Sequence, residues 1–304
     1  MKGQKCAAFF GAVGMVFMVL DTGTAVSAAT EGIGMCICQL IPSLFPFLVM
    51  SGLLMDALQG SALPFLSPLE RLCRIRPGSG SILLTGLLGG YPVGARAVYS
   101  CYQTGNLTRE EAERMLGFCS NAGPSFLFGI VAPFFAHPMV PWILWAVHIL
   151  SAILVGVVLP GGSGKDPKAG TPQKVSVPNV LEKAVRTMAL ICGWVILFRV
   201  ILGFLDKWVL WMMPPWCRVV LSGILELSNG SLMLDRIRSF PLRFLAAGMI
   251  LSFGGLCVAM QTMAICGDLG IGRYLKGKAL QMLIFLVLSV PILVFAEAVH
   301  PCAW

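Results

Sequence analysis

The stretch TGLLGGYPVGA (residues 85–95) interrupts an apolar segment with glycine and proline, and a second break, NAGPSF (residues 121–126), follows it. The other half of the chain repeats this order with SGILELSNGS (222–231) and SFGGLC (252–257). A helix that only crosses a bilayer needs no such breaks. Broken segments at corresponding positions of two halves are typical of secondary transporters with a binding site near the midplane.

The composition is that of a membrane protein. The chain has 304 residues, of which 57% are hydrophobic and only 12% charged, and its mean hydropathy is +0.84. Soluble domains carry roughly 25% charged residues. Apolar runs long enough to span a bilayer predict an all-α polytopic protein with spans in residues 6–20, 34–58, 138–159, 189–205, 244–266 and 279–298.

The net charge of +8 is carried by short loops between these runs. Basic loops of this kind set membrane topology, and they place Lys2 and Lys5 on the cytoplasmic side. No soluble basic face with aromatic residues is present, so the pattern does not indicate nucleic-acid binding. The N-terminus also resembles a signal peptide with cleavage after Ala28, and the alternative is an uncleaved first span.

The sequence contains no recognisable catalytic or metal-binding motif. The eleven cysteines contain no C-x-x-C pair and are expected to be reduced and packed as small apolar residues. His137, His148 and His300 have no metal-ligand spacing, and no hydrolase or P-loop pattern occurs. We therefore predict no enzyme activity, no metal and no cofactor.

A polar, proline- and glycine-rich stretch at residues 161–178 divides the chain into a first repeat (1–160) and a second repeat (179–304). Residues 31–52 match residues 182–203 at a constant offset, and Asn179 is the expected cap of the second helix. The predicted order in each half is an interfacial helix, a span, a hairpin-like broken segment, a broken span and a closing span. The alternative is that glycine-rich membrane helices merely look alike.

The connection between the two breaks of the first half is predicted to be a helix. Thr108 and Glu111 form a capping box that predicts a helix starting at Arg109. Proline removes a backbone donor and clashes with the preceding turn. The helix should therefore break at Gly123-Pro124.

Candidate substrate-binding residues lie at or beside the breaks, since irregular backbone at membrane depth is tolerated only where it is buried or lines a wet cavity. Glu226 is a lone acid in an apolar stretch and could bind a coupling cation or proton; the alternative is a helix end at the water interface. Arg96 could clamp a carboxylate or instead extend to lipid headgroups. The remaining candidates could offer polar groups or free backbone to a substrate, or they could instead allow helices to pack closely. They are Tyr91, Pro92, Gly94, Asn121, Gly123, Pro124, Ser125, Asn229, Gly254, Gly255 and Gln261.

Three motifs resemble the YlbJ (SpoVV) family of sporulation integral membrane proteins: IPSLFPF (41–47), GYPVGA (90–95) and FCSNAGPSF (118–126). SFGG (252–255) and Gln261 fit the second half of that family. The resemblance implies a nucleoside-recognition Gate domain related to concentrative nucleoside transporters. It further implies a Gram-positive spore-former, a cell or forespore membrane, and passage of dipicolinate into the forespore.

Two classes of function follow from these observations. The first is a transporter with two pseudo-symmetric inverted repeats, whose partners are the bilayer, a small polar or anionic solute such as dipicolinate or a nucleoside, and a coupling cation or proton. The second is a non-transporting scaffold or sensor that uses the same fold to dock partners. The sequence leaves a homodimer open.

Overall fold

The structure is a computed structural model that describes residues 2–58, 63–161 and 176–299. These residues form helices and no strand. Six stretches are long and apolar enough to cross a membrane: Thr22–Leu58, Arg109–Phe134, Val140–Val158, Val177–Trp208, Phe240–Cys266 and Gly272–Phe295. The all-helical membrane architecture is confirmed. Hydropathy did not predict the span Arg109–Phe134, because its charged first turns and its internal break interrupt the apolar run.

The first half begins with α1 (Lys2–Leu20), followed by α2 (Thr22–Met35), a π-helical turn (Cys36–Leu40) and α3 (Ile41–Leu58). Further helices are α4 (Ser67–Leu72), α5 (Gly80–Gly89), α6 (Val93–Gln103), α7 (Arg109–Cys119), α8 (Pro124–Phe126, continued by turns to Phe134) and α9 (Val140–Val158). The predicted capping box is present, since the Thr108 hydroxyl accepts from the Glu111 amide while Glu111 accepts from the Thr108 amide. Helix α7 therefore starts where the sequence predicts.

The second half contains α10 (Val177–Trp208), α11 (Pro215–Leu225), α12 (Leu227–Ser231), α13 (Phe240–Phe253), α14 (Gly255–Cys266) and α15 (Gly272–Val299). The prediction that Asn179 caps α10 is wrong, because the N-cap residue is Ser176, three residues earlier. Pro178 suits the first turn, where its missing N–H would have no partner. Most of the stretch 161–178, and His300, lie outside the described residues.

The first break of each half is the tip of a helical hairpin. The first hairpin is α5 with α6, and the second hairpin is α11 with α12. A Cβ at Gly94 would lie 2.9 Å from the Gly86 Cα, and a Cβ at Gly230 would overlap the Gly223 Cα. The paired helices thus cross at glycines, where only a hydrogen allows this approach. The first crossing also packs against the Cys119 carbonyl at the end of α7.

The two hairpins open toward opposite ends of the bundle. At the end called here the first face, Arg76 binds Glu111, and Arg114 donates to four carbonyls, including those of Cys73 and Gly156 at 2.6 Å. The first hairpin opens to this face, since the Gly80 amide donates to Glu70 beside it. At the opposite end, the second face, Arg243 donates to the carbonyls of Ile237 and Phe134.

The spans α2–α3 and α10 pack antiparallel along their whole length. Close approaches occur at Gly52 against Val180, at Gly32 against Ile196, and at Gly203 against Ala28. Lys207 binds Asp21 in the turn before α2, and with Thr24 it lowers the pKa of Asp21 to about 2. This helix pair is a continuous wall from one face to the other.

Large apolar side chains cover the outside of the bundle. On α10 the exposed residues include Leu181, Val185, Leu190, Leu197 and Ile201. Large apolar side chains exposed along a whole helix belong in lipid, since a water-soluble protein rarely exposes apolar patches of more than a few hundred Å². The chain is an integral membrane protein.

Candidate functional site

Three of the four breaks line one cavity in the middle of the bundle, and helix α14, which follows the fourth break, lines it as well. The empty space at this central cavity, open solvent included, is about 540 Å³. The two hairpin tips supply Gly90, Tyr91 and Glu226 to its wall, and the broken spans supply Gly123 and Gln261. The apolar part of the lining comes from α3 and α10, including Leu48, Ile191 and Val195.

In the first half, the tip of the hairpin lies directly against the break after α7. A Cβ at Gly123 would lie 2.9 Å from the Gly90 Cα, and Gly90 has a φ of 77°, which favours glycine. The Tyr91–Pro92 peptide bond is cis. Tyr91 lines the cavity and donates to the Leu251 carbonyl at 3.3 Å in the second half. Pro124 occupies the first position of α8 and Ser125 lines the cavity beside it.

The second half brings the same two elements together, and here the tip carries the carboxylate of Glu226. A Cβ at Gly255 would lie 3.5 Å from the Glu226 Cα. Glu226 is 2% exposed and caps α12, accepting from the amides of Ser228 at 3.0 Å and Asn229 at 2.7 Å. The Asn229 side chain donates a third bond at 2.7 Å. Glu226 is therefore a buried acid at the cavity, held by a helix N-terminus that favours negative charge.

A buried lysine faces the first-half break from α15. Lys278 is fully buried, and its ammonium donates to Asn121 at 3.0 Å, Gln281 at 2.6 Å and the Tyr91 hydroxyl at 3.3 Å. Its Nζ also lies 5.3 Å from the centre of the Tyr91 ring. Within the described part of the chain, no carboxylate pairs with it. Lys278 thus places a buried amine with neutral hydrogen-bond partners directly behind a residue of the cavity wall.

Sequence reasoning missed Lys278 by grouping it with the basic residues at the start of α15. Lys276 is exposed, whereas Lys278 is not. Residues two apart in a helix point to nearly opposite sides. This angular separation was the available signal that only one of the two lysines reaches the interior.

A second buried pair mirrors the contact between Asn121 and Lys278. Ser252 stands two residues before Gly254, as Asn121 stands two before Gly123, and its hydroxyl lies 3.3 Å from Nδ1 of His148 on α9. In each case, the residue before one half's break meets a polar side chain on the closing span of the other half. The His148 Nε2 atom has no hydrogen-bond partner among the described residues.

Five of the candidate residues line the central cavity (Tyr91, Gly123, Ser125, Glu226 and Gln261), and the others do not. Arg96 does not line the central cavity; it lies on α6 beside a separate cavity with Asp56 and Lys183, because the helix turns its side chain away from the tip. Gly94 allows the helix crossing within the first hairpin. Gly254, with a φ of 80°, borders the Tyr91 hydroxyl, where a Cβ would come within 2.6 Å.

The sporulation integral membrane protein YlbJ of Bacillus subtilis (strain 168) is 25% identical to the chain over 309 residues, covering 83% of the chain and 74% of the relative. This similarity supports the assignment to the YlbJ family that the sequence motifs indicate. No protein-family model and no solved structure matches it.

In this protein, the site consists of neutral donors, broken backbone and two buried ionisable side chains. Within the described ranges, no three His, Cys, Asp or Glu side chains are grouped closely enough to hold a metal ion. Tyr91, Gln261 and Ser125 offer hydrogen bonds and an aromatic face to a ligand. Glu226 and Lys278 give this region one acidic and one basic side chain.

Proposed function

We propose that this protein transports a small anionic solute across the membrane, with dipicolinate, on its way into the forespore, as the solute. The observation that carries the proposal is that three backbone breaks line one cavity, while the fourth packs against two of its wall residues, Tyr91 and Glu226. Intramembrane backbone is left unpaired only where it is buried in protein or faces a wet cavity. Breaks gathered around one cavity, with a buried acid and a buried lysine, favour a solute-binding site.

We further propose that the two halves are inverted repeats, as in concentrative nucleoside transporters. Each half contains a span, a hairpin, a broken span and a closing span in the same order. The two hairpins open to opposite faces, and the pairs Asn121–Lys278 and Ser252–His148 occupy matching positions. A two-fold axis in the membrane plane accounts for all three observations.

The charges favour an anion accompanied by a cation. Burying an unpaired charge is costly, and Lys278 has only neutral partners, so an anion against Tyr91 would find a compensating charge nearby. Glu226 would repel the same anion unless a proton or cation neutralised it. Co-transport with a proton or a cation bound at Glu226 resolves this conflict.

The test is a ligand screen followed by uptake. A solute that binds only the folded protein raises its apparent stability, by about 2.7 kcal/mol at a hundredfold excess over Kd. We expect dipicolinate to raise the unfolding temperature of purified protein and to enter proteoliposomes, whereas a nucleoside and the neutral diamide of dipicolinate do neither. The control protein is Lys276→Gln, which changes an exposed charge on α15.

Other outcomes of the same screen would favour a nucleoside transporter or a non-transporting scaffold or sensor. Stabilisation by a nucleoside alone would replace the anion with a nucleoside as the solute. Failure of every solute, together with a membrane partner captured by cross-linking that does not require Glu226, would favour the scaffold or sensor. Only the first turn of α7 is open to such a partner, since the helix is largely buried from Glu111 onward.

A further inference from the structure

One face of α10 lines three cavities in succession. Val180, Ala184 and Thr187 border a cavity near the first face, Ile191 and Val195 border the central cavity, and Arg199, Leu202 and Asp206 border a cavity near the second face. These residues follow one another at intervals of three or four, which is a single helix face. At about 1.5 Å per residue the stripe is about 39 Å long, which exceeds the ~30 Å hydrocarbon thickness of a bilayer.

The antiparallel neighbour of α10 contacts the same three cavities in the opposite order. Along α2–α3, the lining residues are Glu31, Met35 and Gln39, then Leu44 and Leu48, then Gly52 and Asp56. All steps are four residues except the step from Gln39 to Leu44, which crosses the π-helical turn Cys36–Leu40. A π turn adds one residue, so it keeps the lining stripe on one face.

Each hairpin tip separates the central cavity from one of the outer two. In the first hairpin, Gly90 and Tyr91 face the central cavity, while Val93 faces the first vestibule, the cavity of about 370 Å³ with Arg96. In the second hairpin, Glu226 and Ser228 face the central cavity. Asn229 and Met233 face the second vestibule, the cavity of about 660 Å³ with Arg199.

The two vestibules differ in charge. In the second vestibule, Arg199 binds both Glu31 and Asp206, so its cations are matched by acids. In the first vestibule, Lys183 pairs with Asp56 at 3.9 Å, and no described carboxylate pairs with Arg96. The first vestibule therefore has a net positive charge, which attracts an anion at its entrance.

We propose that the three cavities are sections of one translocation path for an anionic solute, that Arg96 gathers the solute in the first vestibule, and that each hairpin tip is the barrier at one end. This inference rests on the proposed transport function and specifies the route of the solute through the protein. α10 and α2–α3 are the wall along which the solute passes, and the tips must move in turn to admit and release it.

The route is tested by single cysteine substitutions on α10 in membrane vesicles of both orientations, with a membrane-impermeant thiol reagent and peptide mapping to locate the label. Thr187→Cys reports on the first vestibule and Leu202→Cys on the second. Ala189→Cys and Ile201→Cys are controls at similar depth on the lipid side. Because the thiolate is the reacting species and needs water, vestibule cysteines should react at least about tenfold faster than the controls.

The expected result is that Thr187→Cys is labelled from the first face only and Leu202→Cys from the second face only. Labelling of both from one face, or rates equal to those of the controls, would overturn the route. This readout needs no substrate, so it separates the route from the transported solute. If the labelling confirms the route but dipicolinate neither stabilises the protein nor enters proteoliposomes, only the proposed substrate is refuted.

Discussion

Replacing Lys278 by glutamine is the most direct perturbation of the charge at the site. The variant keeps a hydrogen-bonding side chain opposite Asn121 and Gln281 and removes only the positive charge. The Lys278 Nζ lies 5.3 Å from the Tyr91 ring centre. A ligand in van der Waals contact with the far side of that ring therefore lies about 9 Å from the charge.

The size of the effect follows from that distance. Two unit charges about 9 Å apart interact with about 1.8 kcal/mol at an effective dielectric constant of ~20. This corresponds to about a 20-fold change in Kd for each nearby ligand charge. The neutral diamide of dipicolinate has no such charge, so its affinity should be almost the same in Lys278→Gln and wild type.

The assay is ligand binding in detergent or nanodiscs, by thermal shift and calorimetry, with dipicolinate and its diamide as paired ligands. Lys276→Gln, two residues earlier on the exposed side of α15, should bind dipicolinate like wild type. Equal weakening of the charged and the neutral ligand in Lys278→Gln would show a packing effect and refute the electrostatic reasoning. An unchanged dipicolinate Kd would refute it as well.

Three further predictions concern coupling, packing and entry. Glu226→Gln removes the charge and leaves one acceptor oxygen for the three donors of Ser228 and Asn229, so dipicolinate uptake into proteoliposomes should lose its dependence on a proton or cation gradient; retained dependence would exclude Glu226 as the coupling group. Gly86→Ala should destabilise the fold by about 1–3 kcal/mol, because its Cβ meets the Cys119 carbonyl. Gly193→Ala, whose Cβ has open space, should not lower the unfolding temperature, and equal effects of the two would contradict the crossing. Arg96→Gln should raise the solute concentration for half-maximal uptake at low salt and less so at high salt, while Arg186→Gln at an exposed pair should not; a salt-independent loss would argue against gathering by charge.

Much of the fold could be predicted from the sequence, because helix caps and helix breaks depend on residues that are close together in the chain. Proline at 124 and glycine at 254 lie at the breaks that the sequence predicts, and the capping box at Thr108 needs only residues three apart. The prediction of Asn179 as the cap of α10 was wrong, since the helix already begins at Val177 with Pro178 in its first turn. Hydropathy found five of the six candidate spans and missed the one whose first turns are charged.

The sequence alone determined that this chain is a helical membrane protein and where its helices break, because composition and the weak helix propensity of glycine and proline are properties of the chain itself. The tertiary structure decided which charges meet at those breaks. It brought Lys278 from the far end of the chain to Asn121 and Tyr91, and it turned Arg96 away into a vestibule. Such choices depend on helix rotation and on contacts between residues more than 150 positions apart, which no local pattern encodes.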